Sequence, residues 1–149
     1  MSYKEFRKDL RSSMFNNVVM LTGKENFLVH WAVNQLKKKY GGKEFQAQNV
    51  HEFDGAQADI DEVIGMARTP SMFPGHRVLI VRNYPWLFQK KGKEELKEFQ
   101  EGAGARLLEY AAGADYSEYA SMIIMTVDAQ YYKDSSPRNC GLTAYGKKL

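Results

Sequence analysis

With 149 residues, 44% hydrophobic and 26% charged, the chain has the composition of one folded domain with a sizeable core, which excludes a disordered or fibrous protein. Its 21 basic and 18 acidic residues leave a formal net charge of +3, too mild to argue on charge alone for a dedicated nucleic-acid binder. The single cysteine, Cys140, excludes an intrachain disulfide and a cysteine-rich zinc site, so a reduced, cytoplasmic setting is expected.

The opening MSYKEFRKDLRSS is charged throughout and has no apolar run of the signal-peptide kind. No apolar stretch reaches membrane-spanning length, so no membrane partner is expected. NVVMLT at 17–22 then reads as a strand covered on both faces. From Asn26 to Tyr40, Leu28, Trp31, Ala32, Gln35 and Leu36 recur at helix spacing, and Gly41-Gly42 stops the run. NVHEFD at 49–54 alternates, as an edge strand with one wetter face does. Asp59 with Glu62 resembles a capping box, opening a helix whose Ile60, Val63, Ile64 and Ala67 share one face. Pro70 closes that helix by disfavouring helical geometry at Thr69.

The next stretch, TPSMFPGHR at 69–77, sets Met72 and Phe73 between two prolines. A turn of that composition faces water, where two large apolar side chains add no stability. Either the pair folds back into the core of its own chain, or it serves a pocket on another molecule.

RVLIVRN at 77–83 is a second continuous apolar strand, followed by NYPWLF, whose aromatics are expected to pack beneath the helix they lead into. Leu96, Phe99, Leu107, Tyr110 and Ala111 predict helix between Lys93 and Ala112, in two pieces at Gly102 and Gly104. SMIIMTV at 121–127 is the third apolar strand. Strands alternating with long crossovers predict a parallel sheet with helices on both faces. The tail, DAQYYKDSSPRNCGLTAYGKKL, ends without cap or turn, and reads as a chain cut within an element before the last strand.

The first strand leads into Thr22-Gly23-Lys24, where a nucleotide-binding α/β protein carries its phosphate loop. A working GxxxxGK[ST] loop cradles phosphates with backbone donors and gives a hydroxyl to Mg²⁺. Here Val18 stands at the first glycine and Glu25 replaces the hydroxyl residue, so Gly23 and Lys24 belong to a degenerate, non-functional loop. The third strand ends in Arg82-Asn83 with no carboxylate for a metal, and Asp128 after the last strand is expected in a cap or turn role. His30, His51 and His76 have no metal-ligand spacing, and no Ser or Cys stands in a nucleophile motif. No catalytic residue, metal or cofactor is expected. Lys37-Lys38-Lys39, Lys90-Lys91-Lys93 and Lys147-Lys148 read as solvated helix faces or ends.

Three segments, VVMLTGKENFLVHWAVNQL, FDGAQADIDEVIGMARTPSMF and RVLIVRNYPWLF, together resemble the N-terminal AAA+-type domain of the delta subunit of the bacterial DNA polymerase III clamp loader. The resemblance runs from about Tyr3 to Val127. It implies an AAA+/P-loop-NTPase-like core that neither binds nor hydrolyses ATP, within the DNA polymerase III holoenzyme. Family delta subunits grip the sliding clamp and help open its ring through a hydrophobic pair that ends the helix before the third strand. Carried onto this sequence, that pair is Met72-Phe73, preceded by Ser71. Members commonly carry Leu-Phe there, so Met72 departs mildly, while staying apolar and flexible enough for an irregular pocket. The resemblance also implies a helical lid and a collar that meets the other clamp-loader subunits, both beyond residues 1–149, with DNA contacted indirectly. A DNA-contacting α/β module using the lysine runs, without enzymatic activity, is the alternative reading.

Overall fold

The structure is a computed structural model that describes residues 7–8, 18–22, 26–42, 44–69, 72–87, 92–112, 121–128 and 144–145. Its strands are β1 (Val18–Thr22), β2 (Val50–Asp54), β3 (Val78–Arg82), β4 (Met122–Val127) and β5 (Ala144–Tyr145). Its helices are α1 (Asn26–Tyr40), α2 (Gln46–Asn49), α3 (Ile60–Ala67), α4 (Lys93–Glu101) and α5 (Ala103–Ala112), with a 3₁₀ turn at Pro85–Leu87.

The strands form one parallel sheet in the order β2-β3-β4-β1-β5. Val18 pairs with Ile123, Val78 with Met122 and Val50 with Val78. The pleat sorts each central strand onto two faces. Val18, Met20, Leu79, Val81, Ile123, Met125 and Val127 point to one core, which α3, α4 and α5 cover with Ile60, Val63, Ile64, Ala67, Phe99, Leu107 and Tyr110. The alternate residues Val19, Leu21, Val78, Ile80, Met122 and Ile124 meet Val29, Ala32, Val33 and Leu36 of α1. Burial on both faces is why these strands read as continuous apolar runs, and each fully buried side chain adds roughly 1.5–3 kcal/mol. β2 is the edge strand its alternation predicts, with only half-buried and exposed residues.

Three local details differ from the sequence reading. The stripe of α1 that meets the sheet is Val29, Ala32, Val33 and Leu36, while Leu28 and Trp31 lie at its rim. Asp59 does cap α3, but its carboxylate accepts from the Asp61 N–H at 2.9 Å. The helix ends at Ala67, ahead of Pro70, which is outside the described residues.

The tail, expected to stop before the last strand, carries a two-residue strand. Ala144 and Tyr145 pair with Met20 and Leu21, so β5 occupies the sheet position beyond β1. Two residues held by backbone hydrogen bonds carry no apolar pattern that could mark them as a strand. The split helix is as expected: α4 closes with the Gly102 N–H donating to Glu98 O at 2.8 Å, and α5 starts at Ala103. Tyr84 is buried and Trp86 stacks on Phe99 of α4, 4.5 Å between centroids and 7° between planes. Tyr84 and Trp86 therefore do pack beneath the next helix, while Phe88 lies outside the described residues.

Candidate functional site

The connection from α3 to β3 carries Met72 and Phe73. Because all strands are parallel, it lies at the N-terminal end of the sheet, beside the turn after α1 and beside α2. Met72 is 92% exposed and Phe73 42%, and neither belongs to a core cluster. Phe73 is partly covered by Phe45, whose ring it stacks against at 5.4 Å and 29°. Ser71 lies outside the described residues.

The return limb of this loop is tied down. Asn49 is 0% exposed, and its Nδ2 donates to Pro74 O at 2.8 Å and to Gly41 O at 3.0 Å. The His76 N–H donates to Tyr40 O at 2.6 Å, and the two rings meet edge to face at 5.6 Å. Asn49, Phe45 and the short helix α2 are not singled out by the sequence. The one signal is an asparagine directly before a strand, a position where burial of an amide depends on partners distant in the chain.

The opposite end of the sheet holds the positions of a phosphate loop. Val18 to Thr22, which a working loop would use as its turn, are strand residues paired with β4, and α1 starts at Asn26. Gly23, Lys24 and Glu25 lie outside the described residues. At the ends of β3 and β4, Asn83 and Asp128 bond reciprocally. Asn83 Nδ2 donates to Asp128 Oδ2 at 2.8 Å, and the Asp128 N–H donates to Asn83 Oδ1 at 2.9 Å. Asn83 adopts φ 55°, a left-handed geometry that asparagine tolerates. Asp128 thus fastens a turn, as expected of it.

Nearby carboxylates are also committed. Glu52 accepts from Lys37 Nζ at 2.8 Å and from Arg82 at 3.3 Å; the Lys37 hydrogen bond, then the Arg82 charge, hold its carboxyl below the usual range. Asp54 accepts from the Ala56 N–H at 3.0 Å. Asp61 of α3 pairs with Arg106 of α5, whose hydrogen bond lowers its carboxyl likewise. These exposed pairs contribute little stability. Among the described residues, no group of three or more His, Cys, Asp or Glu could hold a metal ion, and no helix is long and apolar enough to cross a membrane.

Residues 20–105 match the family described as DNA polymerase III, delta subunit. The chain belongs to that family. No curated relative matches it. The structure of this delta-family chain is similar to that of the Bacillus subtilis DNA clamp loader delta protein (YqeN), with a TM-score of 0.60 and 19% sequence identity. The match covers 98% of this chain and 42% of that one, so the delta-family chain spans less than half of its length. At this identity the likeness shows the shared fold, an α/β core with a parallel sheet.

Proposed function

We propose that residues 1–149 form the N-terminal, clamp-binding domain of a clamp-loader delta subunit that acts in the cytoplasm as part of the DNA polymerase III holoenzyme in DNA replication. Met72 and Phe73, with Ser71 before them, are the hydrophobic plug that enters a pocket on the sliding clamp and helps open the ring. The observation that carries this reading is the 92% exposure of Met72 on a loop whose backbone is pinned on its return side. An exposed apolar side chain on a fixed loop adds nothing to the fold, and it loses little freedom on docking. Contacts with other clamp-loader subunits belong to the regions that family members carry after this domain, and DNA is met through the assembled loader.

The test is titration of the chain with the sliding clamp of the same organism at low and high salt. A plug that binds through apolar burial keeps its affinity as salt rises. A DNA-contacting module would instead fail to bind the clamp, and its affinity for duplex DNA would fall steeply with salt. Lys37 is already paired with Glu52, which lowers the charge that the first lysine run could offer to phosphates.

The domain acts without ATP. Val18 lies within β1, and in the sequence Glu25 stands where a working loop has its Ser or Thr, so in this reading neither the loop turn nor the Mg²⁺ hydroxyl is present. Calorimetry with Mg-ATP is expected to give no heat of binding; a micromolar dissociation constant would refute this.

A further inference from the structure

The loop bearing Met72 and Phe73 is held from beneath by one buried amide. Asn49 closes α2, and its Nδ2 bonds carbonyls from two different connections, Gly41 after α1 and Pro74 before β3. The joint is tight. Gly75 has φ 110°, and a Cβ there would lie 2.9 Å from Asn49 Nδ2 and 2.9 Å from Gly41 O. Beyond it, His76 bonds directly to the backbone of Tyr40, while on the outer side Phe73 rests on Phe45 at the start of α2. The end of α1, the whole of α2 and the loop therefore form one interlocked unit.

The chemistry of this joint requires a neutral double donor. An aspartate has the shape of asparagine but no N–H, and would set a charge against two carbonyl oxygens. A serine is too short to reach both, and leaves a buried acceptor without its partner.

We infer that Asn49 is the positioning residue of the clamp-binding loop. Its carboxamide fixes the Pro74–Gly75 backbone, so that Met72 and Phe73 are presented in one conformation before a partner arrives. The inference rests on the plug reading above, and it needs no contact between Asn49 and the clamp, since the side chain is buried. A plug on a loose loop would pay for its ordering at the moment of docking; a plug on this joint is ordered by the fold.

The test compares Asn49→Ser, Asn49→Asp and Gly75→Ala in the full chain. Gly75→Ala strains the same joint from its exposed side and creates no core cavity, so it decides the matter if the Asn49 variants do not fold. Each variant is expected to bind the sliding clamp roughly ten- to a hundredfold more weakly, because the loop must be ordered on docking. Amide hydrogen exchange should quicken at residues 72–77, while β3 and α1 stay protected. In a Met72→Ala/Phe73→Ala background, Asn49→Ser should change clamp binding no further. Wild-type clamp affinity in Asn49→Ser or Gly75→Ala, with the plug itself shown to matter, overturns the inference alone. An effect of Asn49→Ser that persists in full without the plug also overturns it. If Met72→Ala/Phe73→Ala binds the clamp as wild type does, the plug reading fails and the inference falls with it.

Discussion

A chain with Met72 and Phe73 both replaced by alanine is expected to lose about 3–6 kcal/mol of sliding-clamp affinity while keeping its fold. Each side chain fully buried in a pocket is worth roughly 1.5–3 kcal/mol, and the sum turns a nanomolar complex micromolar or weaker. The free domain has little to lose. Met72 is 92% exposed, so its truncation removes almost no internal contact. Phe73 is different, because it stacks on Phe45 and is only 42% exposed. An aromatic pair of this kind adds about 0.5–1.5 kcal/mol, so melting should fall by a few degrees through Phe73 alone. Thermal melting and clamp titration of the single and double variants separate the two contributions. A large drop in melting temperature with clamp affinity intact would mean that the pair belongs to the fold and not to a partner.

The second large effect is expected at the other end of the sheet. Gly55 is buried after β2, and its N–H donates to Arg82 O at 2.6 Å. A Cβ at this position would overlap the Arg82 carbonyl oxygen and lie 2.5 Å from Tyr84 N and 2.6 Å from Asn83 C. All three are backbone atoms, so no side chain can swing aside. Nor can the backbone yield easily, since the Asn83 N–H is bonded to Thr126 O at 2.8 Å and its side chain to Asp128. Overpacking of this severity costs about 3 kcal/mol, so Gly55→Ala should melt roughly 6–12 °C lower. Clamp affinity of the folded fraction should not change, because the loop with Met72 and Phe73 lies at the opposite end of the strands. Melting within a degree of wild type would show that the ends of β2 and β3 are not packed in this way.

What the sequence discloses depends on how much of each element is stabilised locally. β1, β3 and β4 are legible because both faces are buried, which forces an apolar residue at nearly every position. The α1 stripe is legible only to within one residue, because Leu28 and Trp31 at the rim carry as much apolar character as Val29 and Val33 at the centre. β5 is not legible, since its two residues are strand only through pairing with Met20 and Leu21. Met72 and Phe73 are legible as a question. Composition shows two apolar residues in a turn, but only packing shows that Met72 touches almost nothing while Phe73 leans on Phe45. Asn49 is hidden for the same reason, as the carbonyls it serves belong to Gly41 and Pro74.

The strand order also governs how the chain can fold while it is being made. β2 and β3 are close in sequence and can pair as soon as both have emerged, but β1 has neighbours only in β4 and β5. Val18 must wait for Ile123, and at ordinary rates of translation that interval is on the order of 5–20 s. Through that time the five apolar or β-prone residues of β1 have two unsatisfied edges and no sheet to enter, which is the condition under which nascent chains recruit chaperones or stick to one another. The arrival of β4 then closes the sheet in one step, bringing β1 and β3 to its two sides, so the first of the described strands to leave the ribosome is among the last to become native.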